Sequence, residues 1–171
     1  MSRAGRPSSY FWIVGYGNPQ RRDDGVGPYI VNRLQPFFKQ RNDIRLQILH
    51  QLEPDVVDTL KNAHTILFVD ATVETLALGW QWAEVRPEPG AMPCLTHQAT
   101  PSWVLGLLQT LYHRSPAVWM ISVRGNDFGF GSGLSPETQK RVEQVMGEII
   151  EFVLTQVSEK DRINQIEAKL L

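Results

Sequence analysis

A short apolar run that stops abruptly at a glycine turn sets most of what this chain can fold into. Phe11-Trp12-Ile13-Val14 has the β-branched and aromatic character that suits a buried strand. It breaks at Gly15-Tyr16-Gly17-Asn18-Pro19, where the glycines and Asn-Pro impose a turn. Two arginines, two adjacent aspartates and Gly25-Val26-Gly27-Pro28 follow. Val26, Ile30, Leu34, Phe37 and Phe38 then recur at helical spacing, which predicts a helix over 26–40. Pro28 suits its first turn, Pro36 should kink or shorten its end, and Asp23 or Asp24 could cap its amides. Strand, loop and helix make the first half of a βαβ unit. Open α/β sheets bind ligands at the C-terminal ends of such strands, so the Asp23-Asp24 pair lies where function is expected.

The rest of the chain extends this plan. Ile44–Leu49 alternates as a second strand and ends in the loop His50-Gln51-Leu52-Glu53-Pro54, at the same edge as the first loop. A short helix over 53–63 should bury Val56, Val57 and Leu60. Thr65–Ala71 is almost continuously apolar, as a central parallel strand should be, and closes on Asp70. Only Thr72–Gly79 separates it from the next strand, Trp80–Arg86. A parallel crossover needs a dozen or more residues, so this fourth strand should run antiparallel. The proline-rich segment 87–96 returns the chain to the ligand edge. A third helix from Pro101 packs Trp103, Val104, Leu107, Leu108 and Leu111 and feeds a fifth strand, Ala117–Val123. A glycine-rich loop over 124–134 leads to Ser135-Pro136-Glu137, a helix start with an N-cap and proline at the first position. The last helix carries Val142, Val145, Met146, Ile149, Val153 and Val157 on one face.

The expected fold is α/β in three layers: a five-stranded, mostly parallel sheet with one antiparallel strand and helices on both faces. Residues 1–9 read as a flexible leader, 10–157 as one domain and 158–171 as a polar C-terminal extension. A net charge of −1 gives no reason to expect nucleic acid or an anionic membrane as partner. The single cysteine, Cys94, forbids an internal disulfide and fits a reducing cytoplasm. No apolar run approaches the ~20 residues of a membrane-spanning helix.

Three groups of this plan converge on one edge: Asp24 after the first strand, Asp70 after the third, and His97 after the returning segment. Two carboxylates and an imidazole make a three-ligand site for a divalent transition metal with positions left open. Each also has a plainer reading: Asp24 as a helix cap, Asp70 bonded to neighbouring amides, His97 as a cap or surface residue. Residue types and spacing leave both readings standing.

Local motifs add to this. Gly15-Tyr16-Gly17-Asn18, Asp23-Asp24-Gly25-Val26-Gly27, Phe68-Val69-Asp70-Ala71 and Thr96-His97-Gln98 together resemble the NiFe-hydrogenase maturation proteases, in order and spacing, over residues 10–155. The resemblance implies a phosphorylase/hydrolase-like fold and an endopeptidase. Its substrate would be the nickel-loaded precursor of the hydrogenase large subunit, from which a short C-terminal peptide is removed. Asp24, Asp70 and His97 would contact the nickel, which the substrate supplies, so that no metal is held tightly by the free protein. Many members carry Glu at the position of Asp24, and the shorter acid alters reach. His50-Gln51-Leu52-Glu53 departs from the family's common Asp-Gly-Gly-Thr loop and resembles the His-Gln-Leu form of members serving the bidirectional, NAD-linked hydrogenase. The loop is therefore expected to select substrate, although His50 and Glu53 could simply cap the second helix. A monomeric, cytoplasmic enzyme is expected.

Two other classes share parts of the pattern. Ile13–Pro19 also resembles the opening of peptidyl-tRNA hydrolases, but those continue with Thr-Arg-His-Asn, where this chain has Arg21-Arg22-Asp23-Asp24. A non-enzymatic, nickel-sensing chaperone on the same scaffold would carry the same ligands, and peptide release separates it from a protease. Dinucleotide binding fails for want of a third glycine before the first helix. Cys94 has no specific base paired with it and is a poor candidate nucleophile.

Overall fold

The computed structural model describes residues 10–91 and 99–170, with backbone alone for 164–170. The chain runs β1 (Tyr10–Tyr16), a 3-10 turn (Arg22–Gly25), α1 (Val26–Phe38), β2 (Ile44–Leu49), α2 (Val56–Leu60), β3 (Ala63–Thr72), β4 (Trp80–Glu84), α3 (Pro101–Tyr112), β5 (Ala117–Arg124) and α4 (Pro136–Leu170). The strands form one sheet in the order β2-β1-β3-β5-β4. β4 alone is antiparallel, paired to β5 from Trp80 opposite Val123 to Glu84 opposite Trp119. The short connection between β3 and β4 leaves the chain no room to cross the sheet, and it turns back along β5 instead.

Side chains alternate between the two faces of each strand. Phe11, Ile13, Leu67, Val69, Ile121 and Val123 meet α1 and α4 on one side. Val14, Ile66, Phe68 and Val118 meet α2 and α3 on the other. Every apolar residue expected on the core face of α4, from Val142 to Val157, is buried. Each large side chain so buried is worth about 1.5–3 kcal/mol.

The departures from expectation lie at the ends of elements: β3 begins at Ala63 and β4 stops at Glu84, two residues before Arg86. Phe37 is 60% exposed whereas Phe38 is 4% exposed. Successive helical residues point about 100° apart, and in this last turn only Phe38 reaches the core. Leu111 is 50% exposed in the final turn of α3, where the chain turns away through left-handed His113 (φ 53). α2 is five residues long because Ala63 already belongs to β3. Pro36 is accommodated near the end of α1, which stops two residues later. Neither Asp23 nor Asp24 caps α1, whose N-cap is Gly25 without a side-chain bond. The residues after 157 continue α4 as helix to Leu170, a single helix of 35 residues. Among the described residues no helix is long and apolar enough to cross a membrane. The leader 1–9, Cys94 and His97 lie outside the described residues.

One contact sets the position of α1. A Cβ added to Gly27 would meet the carbonyl oxygens of Tyr16 and Val69 at 2.5 Å, and one on Gly15 would meet the Gly27 carbonyl. Only glycines allow the first turn of α1 to press onto the ends of β1 and β3. The loop between them is thereby held over the C-terminal edge of the sheet.

Candidate functional site

The loops at that edge enclose a cleft of about 480 Å³. β1 and the segment after it contribute Tyr16, Gly17, Asn18, Arg21 and Asp24; the loop after β2 contributes His50, Gln51 and Leu52; β3 contributes Asp70; Ala99 completes the lining. Asp24 and Asp70, expected together from their strand-end positions, therefore face one cleft. His50, Gln51 and Leu52 join them because β2 lies parallel beside β1. Glu53 does not line the cleft; it is exposed and accepts a bond from Gln51 Nε2 at 2.9 Å. Neither it nor His50 caps α2, which has no side-chain cap.

Asp24 is oriented by the turn. Gly17 has φ +135, a conformation that side chains disfavour. The Asn18 amide that follows donates to Asp24 Oδ2 at 2.9 Å. The other carboxylate oxygen has no protein donor among the described residues. Asn18 Oδ1 in turn accepts from the Gln20 amide at 2.9 Å, closing an Asx turn.

Asp70 is more enclosed. Its Oδ1 accepts from the Ala71 amide at 2.7 Å. Burial pushes its carboxyl up to about 6, and the charge of Asp24 adds to this; the Ala71 amide and the Tyr16 hydroxyl, which bonds to it, pull the other way. Burial also drives the Tyr16 phenol far above its usual range, helped by the charge and hydrogen bond of Asp70. Tyr16 is thus a permanent donor. A carboxyl near 6 can take up and return a proton close to neutrality, and two carboxylates in one cleft attract a cation. Among the described residues no three His, Cys, Asp or Glu side chains gather closely enough to hold a metal by themselves.

Asp23 does something else. It is fully buried and points away from the cleft region into the start of α4. It accepts from the Ser135 amide (2.6 Å) and hydroxyl (2.6 Å), the Asn126 amide (2.7 Å), the Asp127 amide (2.9 Å) and Thr138 Oγ1 (2.9 Å). Burial opposes ionisation, but the Ser135 hydroxyl and the three amides outweigh it and hold the carboxyl below its usual range. Ser135 Oγ also accepts from the Thr138 amide, the N-cap expected for α4. The adjacent aspartates of the motif thus divide the work: Asp23 ties the β5–α4 loop to the β1–α1 loop, and Asp24 faces the cleft.

Sequence reasoning missed Asp23's partners and two cleft residues, Tyr16 and Arg21. The Gly15-Tyr16-Gly17 turn was a usable signal for Tyr16, since it places that residue at the very end of β1. Nothing local marked Arg21.

By sequence the chain matches no family model and no curated protein. Its structure is similar to several solved ones. The maturation protease HycI from Thermococcus kodakarensis KOD1 superposes with a TM-score of 0.63 at 20% identity, over 84% of this chain and 91% of that one. The hydrogenase maturating endopeptidase HybD from E. coli gives 0.61 at 17% identity, over 88% and 93%. A hydrogenase 2 maturation peptidase from Thaumarchaeota archaeon SCGC_AB-539-E09 gives 0.61 at 14%, over 85% and 98%. The superpositions cover more than four-fifths of this chain and of each of these proteins, and the chain has the fold of the NiFe-hydrogenase maturation proteases.

Proposed function

We propose that this chain is an endopeptidase that removes a short C-terminal peptide from the nickel-loaded large-subunit precursor of a NiFe hydrogenase. The observation that carries this reading is the pairing of Asp24, in the turn after β1, with Asp70, near the end of the neighbouring strand β3, in one cleft on this fold. Asp24 spends one oxygen on the Asn18 amide and keeps the other for a cation, while Asp70 is held in place beside it by the Ala71 amide and the Tyr16 hydroxyl. His97 completes the trio by its place in the motif. Oxygen and imidazole donors suit divalent nickel. In this reading the metal arrives with the precursor and acts as a recognition element, and the free protein keeps none tightly.

His50, Gln51 and Leu52 border the same cleft and touch the arriving precursor, with Glu53 bracing Gln51 from outside. This loop selects the precursor of the NAD-linked hydrogenase. The enzyme works as a monomer in the cytoplasm.

The test mixes the protein with nickel-loaded and nickel-free precursor and weighs the products by mass spectrometry. Release of one C-terminal peptide from the loaded form alone is expected. Asp24→Ala, Asp70→Ala and His97→Ala should each abolish release in folded protein. Wild-type cleavage by His97→Ala would remove the trio assignment, and a stoichiometric, tightly held zinc in the purified protein would favour an ordinary metallopeptidase instead.

A further inference from the structure

Beyond the two carboxylates, the cleft is lined by Arg21, whose surroundings they do not explain. The loop after β1 and the loop after β5 are stapled together: the Gly131 amide donates to Gln20 O at 2.9 Å, Arg22 N to Gly131 O at 3.2 Å and Asp23 N to Asp127 O at 3.0 Å. This pins Phe130, which is nonetheless 85% exposed. A large apolar ring so exposed adds nothing to the core, and what gives this one interest is the cation beside it.

Beside it stands Arg21, whose guanidinium lies 5.4 Å from the centre of the Phe130 ring. Its Nε donates to Phe128 O at 3.3 Å. Among the described residues its two terminal amino groups find no acceptor and no carboxylate lies within ion-pair distance. Its neighbour Arg22 differs, being paired to Asp127 at 3.3 Å. Arg21 lines the cleft that holds Asp24 and Asp70. The cleft is therefore polarised, with an acidic floor at Asp24 and Asp70 and a cationic rim at Arg21, and the Phe130 ring stands beside that guanidinium.

We infer that Arg21 and Phe130 form the docking rim for the polypeptide substrate, Arg21 gripping a carboxylate of the arriving chain while Phe130 covers an apolar residue next to it. A guanidinium fork matches a carboxylate in two parallel bonds. The acidic floor repels that same carboxylate, so the charge pattern admits the chain in one orientation. Because the stapled loops already hold the rim, little order is lost on binding. This inference rests on the endopeptidase reading for the identity of the substrate. The carboxylate belongs either to an acidic side chain of the tail or to its C-terminus.

The experiment measures both precursor binding and peptide release for wild type, Arg21→Glu, Phe130→Ser and Lys39→Glu. Lys39 lies at the far end of α1 and carries the same charge change as a control. Arg21→Glu should weaken binding and raise KM at least tenfold with kcat changed less than threefold. Phe130→Ser should raise KM severalfold, and Lys39→Glu should leave it unaltered. Melting temperatures report folding throughout. Two altered precursors locate the carboxylate: one with the acids of the tail changed to amides, one with the terminus displaced by a Gly-Ser extension. The Arg21→Glu defect should vanish with one of them, and its persistence with both would overturn the carboxylate contact. Unchanged KM in folded Arg21→Glu and Phe130→Ser would overturn the rim. Arg21-dependent binding without peptide release would instead leave the rim standing and remove the endopeptidase reading.

Discussion

Replacing Asp23 with alanine takes one carboxylate away from five donors that lie within 2.6–2.9 Å of it. Hydrogen bonds to a charged acceptor contribute about 1.5–3 kcal/mol each, and an orphaned buried donor costs about 1–3 kcal/mol. The five bonds share one group and do not add, and a loss of about 4–5 kcal/mol is the expected ceiling for one substitution. Asp23→Ala should approach that ceiling, and Asp23→Asn should lose about half, since one oxygen stays while an amino group is turned toward amides. Asp24→Ala gives up a single bond to the Asn18 amide and should lose about 1 kcal/mol. The pH dependence follows from the sign of the shift. Because the folded carboxyl lies below its usual range, its contribution is present above about pH 4 and is lost as pH falls through the folded value. Urea melts of wild type, Asp23→Ala and Asp24→Ala at pH 7 and pH 3 test this. The gap between wild type and Asp23→Ala should narrow at pH 3. A gap under about 1 kcal/mol at pH 7, or an equal loss in Asp24→Ala, would refute the division of labour between the two aspartates.

Asp70 should behave in the opposite sense. Its folded carboxyl is raised to about 6, so the ionised group weighs against folding increasingly as pH rises from about 4 through 6. Asp70→Asn should stabilise the free protein by up to about 3 kcal/mol at pH 8 and by nothing at pH 4, while peptide release is lost; melts at the two pH values check it. Gly27→Ala should cost about 3 kcal/mol or more, since its methyl would press on two carbonyl oxygens at 2.5 Å, which thermal melting or loss of soluble protein will report. Exchanging His50-Gln51-Leu52-Glu53 for Asp-Gly-Gly-Thr should reduce cleavage of the cognate precursor more than it lowers the melting temperature. Cleavage of two different precursors by both proteins measures that preference, and an unchanged preference would return the loop to a structural role.

What could be read from the sequence was whatever is encoded locally. The apolar run of β3 identified a central strand, and the eight residues after it were too few for any connection but an antiparallel one. That Asp24 and Asp70 lie at one edge was legible because the segments that follow parallel strands emerge on the same side of the sheet. Asp23 was not, because its partners lie more than 100 residues away and nothing in Asp-Asp says which carboxyl turns inward. Phe37 and Phe38 are indistinguishable by periodicity; where the core stops under the helix decides between them. Arg21 and Phe130 acquire their relation only through the Gly131 staple, which no spacing announces. His97 rests on its motif, since it lies outside the described residues.

The length of α4 has a practical consequence. The helix starts at Pro136, on the cleft edge of the sheet, and its last described buried residue is Val157. At 1.5 Å per residue the thirteen that follow carry Leu170 roughly 20 Å further from that edge. A fluorophore, an affinity tag or a surface tether attached there stands at the opposite pole from Asp24 and Asp70. A probe so mounted leaves the cleft open to whatever binds there, which makes this end of the helix the natural anchorage for single-molecule or sensor-chip work.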